Sequence, residues 1–464
     1  MKRFSYYLIL VIICISCENR QKQEFDLLIV NANIVDIEAG KIITNQLIGI
    51  TSDTIRLVKN SYERHNYSAK KTLNARNKYL MPGLWDMHVH FRGGDSLIQE
   101  NKDLLSLFLA YGITSVRDAG GDITPNVLKW KEQISENKLK GPRIFSSGPK
   151  LDGENPAWPG SITVNDSIEV IKKALDSLEK LQVDYVKMYD GSLTKESFYQ
   201  IIEEAEKRNL KTTGHMPLAA DILKAIDLGL DGTEHMYYTL KATSPLADSL
   251  SRLNLGYGMM DEIIKSYDPE LAEEVFEKMG KNQFYVTPTL HIGKTLSELA
   301  DADHSKDSLL NYMGKGIQKT YQGRIESAKR AKNQGNSMRQ KLGERSANMM
   351  RPMYEAGVNL LAGSDSGAFN SFVYPGESLH QELESLVNAG LTPQQALITS
   401  VINGPKFFEL SEFYGGVEEG KVADLILLEG NPLKEIQNTT RLQYLIKNSE
   451  IFSKNDLVEM MQKN

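Results

Sequence analysis

The chain has 464 residues, of which 41% are hydrophobic, so it is long enough to bury a large core and to form more than one domain. Its 54 basic and 60 acidic residues are interspersed and give a formal net charge of -6. This balance excludes the strongly basic surface that is typical of nucleic-acid-binding proteins.

The first seventeen residues, MKRFSYYLILVIICISC, differ in composition from the rest of the chain. Lys2 and Arg3 precede an apolar run that is short for a membrane-spanning helix and typical of a secretory signal peptide. The run ends in a motif that resembles a bacterial lipobox, with Cys17 as the residue to be lipidated. We therefore predict a lipoprotein signal peptide over 1–17 and a polar tether over 18–25. The protein would then be exported and held by a lipid anchor on the periplasmic face or the cell surface of a bacterium. A plain signal peptide or membrane anchor is the alternative.

Short β-branched runs follow the tether and return at the far end of the chain. DLLIVNANIVD, LIGI and TIRLV lie within residues 26–80, and GGVEEGKVADLILLEGNPL and LQYLIKNSEIF lie within residues 411–464. Runs of this kind, bounded by turn residues, predict β-strands. We expect the two ends to pair into one small β-sandwich domain around a central domain.

The central region, residues 81–410, alternates short apolar runs with amphipathic helical runs such as 167–182 and 196–210. Eight segments have the composition of strands: GLWDMHVHF, TSVRDA, RIFSSG, DYVKMYD, KTTGHM, GTEHM, YVTPTL and NLLAGSDS. Eight βα units predict an α/β fold with a closed (β/α)₈ TIM-like barrel. Two charged helical stretches, 237–284 and 291–358, are too long for simple loops, and we expect them to fold over one end of the barrel as lids.

Two of the eight histidines, His88 and His90, lie in the segment GLWDMHVHF. Residues i and i+2 of a strand point to the same face, so both imidazoles project together near the C-terminal end of the first barrel strand. Barrel enzymes build their active sites at that end of the barrel. Two imidazoles aimed at one point make half of a metal site.

Other polar side chains lie at equivalent places on other strands. His215 ends KTTGH, His235 ends GTEH, Asp365 ends LLAGSD, and Lys187 lies inside DYVKMYD. Each has an ordinary explanation on its own, such as a hydrogen-bonded core histidine or a lysine that reaches the surface. Their coincidence with the histidine pair at one barrel end favours a metal site.

These motifs make the chain similar to a known family. With PGLWDMHVH, TSVRDAGG, YVKMY, TTGHM, GTEHM, LLAGSDS and GKVADLILLEGNP, it resembles the amidohydrolase superfamily from about Asp26 to Ile451. Within that superfamily it is similar to the imidazolonepropionase-related branch, which includes bacterial dipeptidases that cleave Xaa-Pro or Xaa-Arg bonds. The resemblance implies a metal-dependent hydrolase.

The resemblance also implies two divalent metal ions, most often zinc. His88, His90 and Asp365 would hold the more buried ion, and His215 and His235 would hold the more exposed one.

Lys187 would be carboxylated by CO₂ to N6-carboxylysine, which bridges both ions. The chemistry supports this role, because a free ammonium cannot bind a cation, whereas a carbamate is anionic and offers two oxygens. An unmodified Lys187 beside a single ion is the alternative. Two ions of this kind lower the pKa of a bridging water, so that a hydroxide attacks the scissile carbonyl at neutral pH. Asp365 would take the proton from this hydroxide and pass it to the leaving amine.

Three further residues are candidates for substrate binding. Tyr237 closely follows GTEH and is a candidate to bind a substrate carboxylate, with an ordinary lining role as the alternative. His291 follows the seventh strand and is a candidate to contact the substrate or a developing oxyanion, unless it is a solvated loop residue. Arg92, just after the histidine pair, is suited to clamp a carboxylate with two hydrogen bonds. We expect Arg117 to pair with the adjacent Asp118 and to be structural.

The leading prediction is therefore a membrane-tethered zinc hydrolase that cuts a C–N amide bond in a dipeptide or an N-acyl amino acid, with Xaa-Pro dipeptides as the specific expectation. Hydrolysis of a cyclic amide, a lactone or another ester is the first alternative, since the same hydroxide attacks each carbonyl. A non-catalytic binding lipoprotein on an inherited barrel is the second alternative. The sequence does not specify the oligomeric state.

Overall fold

The structure is a computed structural model that describes residues 22–462. The predicted signal peptide, its lipidation site Cys17 and most of the tether lie outside the described residues. Residues 23–25, which we assigned to the tether, belong instead to the first strand. Within residues 22–462, no helix is both long enough and apolar enough to cross a membrane.

The described residues alternate between strands and helices along most of the chain. The strands are β1 (Gln23–Asp36), β2 (Lys41–Thr51), β3 (Thr54–Asn60), β4 (Tyr67–Asn74), β5 (Tyr79–Pro82), β6 (Leu84–His90), β7 (Ile113–Asp118), β8 (Arg143–Ser146), β9 (Leu151–Asp152), β10 (Ile162–Thr163), β11 (Val186–Met188), β12 (Thr212–Gly214), β13 (Gly232–Glu234), β14 (Tyr285–Thr287), β15 (Asn359–Leu360), β16 (Ser366–Gly367), β17 (Leu425–Leu428), β18 (Leu442–Lys447) and β19 (Glu450–Ser453).

The α-helices are α1 (Ile98–Ala110), α2 (Thr124–Ser135), α3 (Ile168–Lys180), α4 (Lys195–Glu206), α5 (Ile222–Asp227), α6 (Tyr237–Ala242), α7 (Ala247–Arg252), α8 (Met260–Lys265), α9 (Pro269–Lys281), α10 (Leu290–Glu298), α11 (Lys315–Thr320), α12 (Gln322–Asn333), α13 (Met338–Glu355), α14 (Glu377–Asn388), α15 (Pro393–Leu397), α16 (Asn403–Phe407) and α17 (Lys454–Gln462). Both predicted lid stretches are helical: α6 to α9 lie within the first, and most of α10 to α13 lies within the second.

The two ends of the chain form one hydrogen-bonded sheet of eight strands. Seven of them run in the order β19-β18-β17-β5-β1-β2-β3, and β4 pairs with β1. Strand β5 is the junction, because it lies parallel to β1 and antiparallel to β17. The two ends therefore pair with each other as predicted. The two facing sheets of a sandwich are not confirmed, since all these strands belong to one sheet.

The alternation of side chains along β1 explains why both faces of this sheet are covered. Leu27 and Ile29 belong to one hydrophobic cluster, whereas Leu28 and Val30 belong to another. Successive residues of a strand face opposite sides of the sheet, so a continuous apolar run such as LLIV supplies side chains to both sides.

Each of the eight central segments contains a strand, and the pairs that these strands form with one another are parallel. The ladders divide into three sheets with the orders β16-β6-β7-β8, β10-β9-β11-β12 and β13-β14-β15. Backbone hydrogen bonds connect these sheets, since Asp184 N donates to Ser146 O and Met87 N donates to Ala362 O. The α/β class is therefore confirmed. The closed barrel stays a prediction, because the ladders do not run continuously through all eight strands.

The helices between these strands bury one face each. In α3 the buried residues are Ile171, Ala174, Leu175 and Leu178, at the spacing of three and four that places side chains on one side of a helix. Helix α4 repeats this pattern, and the hydroxyl of Thr194 accepts a hydrogen bond from Ser197 N at its start. These helices pack against the parallel strands, and the candidate functional side chains lie at the strand ends.

Candidate active site

The six predicted metal ligands lie at or near the C-terminal ends of parallel strands. Their positions are the end of β6 for His88 and His90, the middle of β11 for Lys187, directly after β12 for His215, directly after β13 for His235, and directly before β16 for Asp365. Parallel strands end at one edge of the fold, so these side chains meet there. All of them are buried except His235, which is partly buried.

The side-chain atoms that bind metals converge in this cluster. His88 Nε2 lies 3.3 Å from His90 Nε2, and Asp365 Oδ1 lies 3.1 Å from His90 Nε2 and 3.5 Å from His88 Nε2. His235 Nε2 lies 3.8 Å from Asp365 Oδ2, and the ring centroids of His215 and His235 are 4.8 Å apart. Ligand atoms of His88, His235 and Asp365 all lie within 4.8 Å of one another, which makes these three a possible metal-binding group.

Unusual backbone conformations bring the strand ends together. His235 and Asp365 adopt left-handed φ values of 62° and 56°, which reorient the chain at the point where each strand ends. A Cβ at Gly214 would lie 2.1 Å from Met188 O, so β12 approaches β11 too closely for any other residue. The residues after these strands therefore leave the regular alternation of a strand.

Three of the four histidines have their Nδ1 atom held by a protein oxygen. The pairs are His88 Nδ1 with Glu234 Oε2 at 2.6 Å, His90 Nδ1 with Gly120 O at 3.3 Å, and His235 Nδ1 with Thr289 Oγ1 at 2.6 Å. When Nδ1 carries the proton that it donates, Nε2 keeps its lone pair free for a metal. The carboxylate of Glu234 and the carbonyl of Gly120 only accept, so they orient the rings of His88 and His90 and select the tautomer that a metal site requires. The hydroxyl of Thr289 orients the ring of His235.

The protonation states also suit a divalent cation. Burial lowers the pKa of His88, His90 and His215, and it lowers the pKa of His235 to about 4, so the imidazoles are neutral at pH 7. Burial alone would raise the pKa of Asp365, but the neighbouring histidines hold it well below its usual value. An ionised carboxylate among neutral imidazoles is a donor set ready to bind metal.

Two polar atoms of the cluster have no hydrogen-bond partner among the described residues. They are Lys187 Nζ and His215 Nδ1, both buried. The nearest charge to Lys187 Nζ is Glu234 Oε1 at 3.4 Å. Unsatisfied buried polar groups are costly and call for an explanation. A metal ion and a carboxylated Lys187 fit these atoms, since burial lowers the pKa of Lys187 to about 8 and favours the neutral amine that reacts with CO₂.

Glu234 is the first of two residues of the site that the sequence motifs did not reveal. Its carboxylate is fully buried and accepts hydrogen bonds from Arg117 Nη2 at 2.9 and 3.0 Å and from Thr213 Oγ1 at 3.0 Å, besides its contact with His88. The prediction that Arg117 pairs with Asp118 is wrong. Glu234 thus holds the candidate metal ligand His88, and Arg117 in turn holds Glu234.

Asp86 is a second residue that was missed, although the sequence carried a signal for it. It lies two residues before His88, which places it on the same face of β6. Its carboxylate accepts hydrogen bonds from Ser364 N at 2.9 Å and Ser364 Oγ at 2.6 Å, and burial raises its pKa to about 7. Asp86 thereby fixes the backbone directly before Asp365.

A cavity of about 540 Å³ opens over His215, His235 and Asp365. Tyr237, one of the predicted substrate-binding residues, lines it, and so do residues of both predicted lid stretches. The ring of Tyr237 contacts that of Tyr257, with centroids 4.9 Å apart. The cavity thus combines the candidate metal ligands with a wall supplied by the inserted helices.

Among the described residues, Arg92 and His291 do not belong to the lining of this cavity. The Arg92 guanidinium is buried 4.1 Å from the centroid of the Trp158 ring, and its Nε donates to Ala368 O. The backbone N–H of His291 donates to Glu382 at 2.7 Å. Substrate binding by Arg92 and His291 stays a prediction.

Comparisons with known proteins agree with this picture. Ochratoxinase from Aspergillus niger is 24% identical over 414 residues, which cover 77% of this chain and 72% of ochratoxinase. The structure of a bottromycin amidohydrolase superposes with a TM-score of 0.73 at 19% identity, over 93% of this chain and 88% of that chain. A Xaa-Pro dipeptidase with methionine bound in its active site superposes with a TM-score of 0.67 at 19% identity, over 92% of this chain and 99% of the dipeptidase.

The family model for amidohydrolases matches residues 79–452, well over half of the chain. Members of this family are generally metal-dependent, and the group of His88, His235 and Asp365 is a possible metal-binding site. The protein therefore belongs to the amidohydrolase family and is a hydrolase that acts on carbon–nitrogen bonds.

Proposed function

We propose that the protein is a metal-dependent hydrolase that cleaves the amide C–N bond of a dipeptide or an N-acyl amino acid. The observation that carries this proposal is the convergence of ligand atoms from His88, His235 and Asp365, of which His235 and Asp365 line a cavity. A cavity of about 540 Å³ is large enough for a small-molecule substrate. The names of two similar proteins, a Xaa-Pro dipeptidase and a bottromycin amidohydrolase, support an amide substrate.

The finer features of the proposal come from the sequence motifs. We propose that the chain lies in the imidazolonepropionase-related branch, that Xaa-Pro dipeptides are substrates, and that its parallel strands are arcs of one closed barrel. The non-catalytic alternative is not retained, because the chain belongs to a family of hydrolases.

In this proposal His88, His90 and Asp365 hold one divalent ion, probed first as zinc, and His215 and His235 hold a second. Lys187, once carboxylated, would supply an anionic ligand with two oxygens shared between them. Bound ions would polarise the scissile carbonyl and lower the pKa of an attacking water.

Asp365 acts as the general base and then as the acid in this proposal. Its Oδ1 accepts a hydrogen bond from Asn370 Nδ2 at 2.8 Å and faces His90, so Oδ2 is the freer oxygen. Asp365 Oδ2 takes the proton from the water and delivers it to the nitrogen of the leaving amine. Asn370 keeps the carboxylate oriented during this transfer, and the apolar part of the cavity wall limits competing water.

Metal stoichiometry tests the proposal most directly. Residues 18–464 are prepared with zinc and bicarbonate, the metal is measured by elemental analysis, and amine release is followed with dipeptides, N-acyl amino acids, cyclic amides and lactones. Two equivalents of zinc with turnover of a linear amide are the expected result. One equivalent with turnover of a cyclic amide or lactone would replace the proposal by the first alternative. A folded protein without bound metal and without turnover would overturn it.

A further inference from the structure

Two arginines line the cavity without a carboxylate partner. Arg324 lies on α12, where its Nε donates to Phe369 O at 2.8 Å and its Nη2 donates to Asn370 Oδ1 at 2.7 Å, both neutral acceptors. Arg339 lies on α13 and makes no side-chain hydrogen bond or ion pair with any residue between 22 and 462. By contrast, Arg117 and Arg143 each contact a carboxylate.

Among the described residues, no carboxylate lies within ion-pair distance of either arginine. Burial lowers the pKa of Arg324, the charge of Asp365 raises it, and the charge of Arg339 lowers it. The carboxylates that line the cavity are Asp190 and Asp365. Asp190 accepts hydrogen bonds from the hydroxyls of Tyr238 and Tyr257, and Asp365 lies among the candidate metal ligands. Bound metal would add further positive charge, so the cavity favours an anionic guest.

Arg324 lies close to the proposed reaction centre. Asn370 joins the two, because its Oδ1 accepts from Arg324 while its Nδ2 donates to Asp365 Oδ1 at 2.8 Å. Only the side chain of Asn370 therefore lies between Arg324 and the proposed general base, Asp365. Much of the surrounding wall is apolar; it includes Leu290, Ile292, Leu296, Met338 and Leu342.

We propose that Arg324 and Arg339 bind the free carboxylate of the substrate, so that the cavity selects amides that carry both a carboxylate and an apolar side chain. This inference rests on the proposed function. Arg324 is anchored by its two neutral acceptors and makes the inner contact. Arg339 is exposed at the mouth and makes the outer contact. A guanidinium fork matches a carboxylate in shape as well as charge, which a lysine in either place would not do.

The test compares N-acetyl-L-phenylalanine with N-acetyl-L-phenylalaninamide, which differ in the carboxylate. Dissociation constants are measured by calorimetry on the metal-loaded protein, and KM and kcat are measured by acetate release. We expect the wild type to prefer the acid by about tenfold or more, since hydrogen bonds between charged groups are strong ones. Arg339→Met should reduce this preference at least severalfold, by raising the dissociation constant or KM for the acid and not for the amide.

Two further variants keep the result interpretable. Arg330→Met removes an exposed arginine of the same helix α12 and should leave the preference as in the wild type. Arg324→Met should abolish the preference and also slow both probes, because it frees Asn370 beside Asp365. Equal affinity of the wild type for acid and amide, or an unchanged preference in Arg339→Met and Arg324→Met, would overturn the inference. Preferential binding of the acid without any hydrolysis would support the carboxylate site while contradicting the proposed function.

Discussion

Two of the clusters of buried charged side chains in the described residues are built differently. Where the sheet of the chain ends meets β8, Asp424 Oδ2 lies 2.8 Å from Lys447 Nζ and 2.9 Å from Arg143 Nε, so each charge contacts an opposite charge of the chain itself. Both clusters keep buried polar atoms without a hydrogen-bond partner among the described residues, namely Asp424 Oδ1 and Arg143 Nη2 in the first and Lys187 Nζ and His215 Nδ1 at the candidate active site. The candidate active site differs in that His215 also lines a cavity. The charges of the first cluster are paired within the chain, whereas the second cluster adjoins the cavity in which we propose that metal ions and substrate bind.

We expect the largest loss of activity when a single carboxylate at the cavity, that of Asp365, is replaced. Replacing Asp365 by Asn removes the proposed base and an anionic metal ligand while keeping the side-chain volume. We expect kcat for a cleaved amide to fall by about 10³-fold or more, with an unchanged circular dichroism spectrum.

Asp227→Asn is the matched control, because Asp227 is exposed on α5 and pairs with Lys278. It should keep wild-type activity. Turnover by Asp365→Asn within tenfold of the wild type would remove Asp365 from its proposed role.

Lys187 provides the next largest effect. Lys187→Ala removes the group that we propose to bridge two metal ions, so we expect turnover to fall by roughly 10²-fold or more and the metal content to drop. Short carboxylic acids such as acetate should partly restore turnover, because they offer the two oxygens of the missing carbamate. Activity and bound zinc are measured over a series of acetate concentrations, because occupancy depends on the acid concentration relative to its dissociation constant.

The exposed Lys173 on α3 supplies the control for that variant, and Lys173→Ala should behave as the wild type. A Lys187→Ala protein that retains two tightly bound ions would show that this lysine does not form the bridge.

Regular strand geometry is what made much of the site predictable. His88 and His90 follow the two-residue period of a strand, and their side chains do meet, with Nε2 atoms 3.3 Å apart. The apolar runs of the central region likewise identified the eight parallel strands, and the apolar spacing of three and four identified α3. These features depend on residues that are close in sequence, which is the range over which periodicity is informative.

The sequence was uninformative where the chain leaves that regular geometry. Glu234 and His235 are neighbours, so strict alternation would send them to opposite faces, yet the left-handed φ of His235 lets both serve the site. The pairing of Glu234 with Arg117 spans 117 positions and has no local signature. Arg324 and Arg339 lie in helices rich in charge, where nothing in the spacing distinguishes the residues that reach the cavity.

Glu234 offers a further test of the difference between the two clusters. It is charged and buried like Asp424, but it contacts the candidate metal ligand His88. Glu234→Gln leaves Arg117 buried without an anion and weakens the hold on His88 Nδ1. We therefore expect metal affinity to fall by about 10- to 100-fold together with a loss of stability. Competition with a chelating dye measures the affinity. Unchanged affinity would mean that Glu234 serves the fold alone.

Asp424→Asn should have the smallest effect on the site, although it destabilises the fold. Breaking a buried pair by removing one partner costs about 3 kcal/mol, because Lys447 is left buried without an anion. We expect that loss in the free energy of unfolding by urea, with kcat and metal affinity within twofold of the wild type. Asp53→Asn is the matched control, since the Asp53 side chain is 46% exposed and lies 3.7 Å from Arg143.

The stabilities of the wild type and of Asp424→Asn should also depend differently on pH. Burial alone would raise the pKa of Asp424, but Lys447 and Arg143 hold it below its usual value. A carboxylate with a depressed pKa in the folded state contributes stability above the pKa of the unfolded chain, about 3.9, and that contribution is lost as the pH falls through the lower folded value. The wild type should therefore lose more stability than Asp424→Asn between pH 5 and pH 2, a range of about one to two units on either side of that unfolded value. Parallel losses in the two proteins would show that Asp424 is not held in its ionised form, and the cluster at the sheet would no longer stand as the self-contained counterpart of the active site.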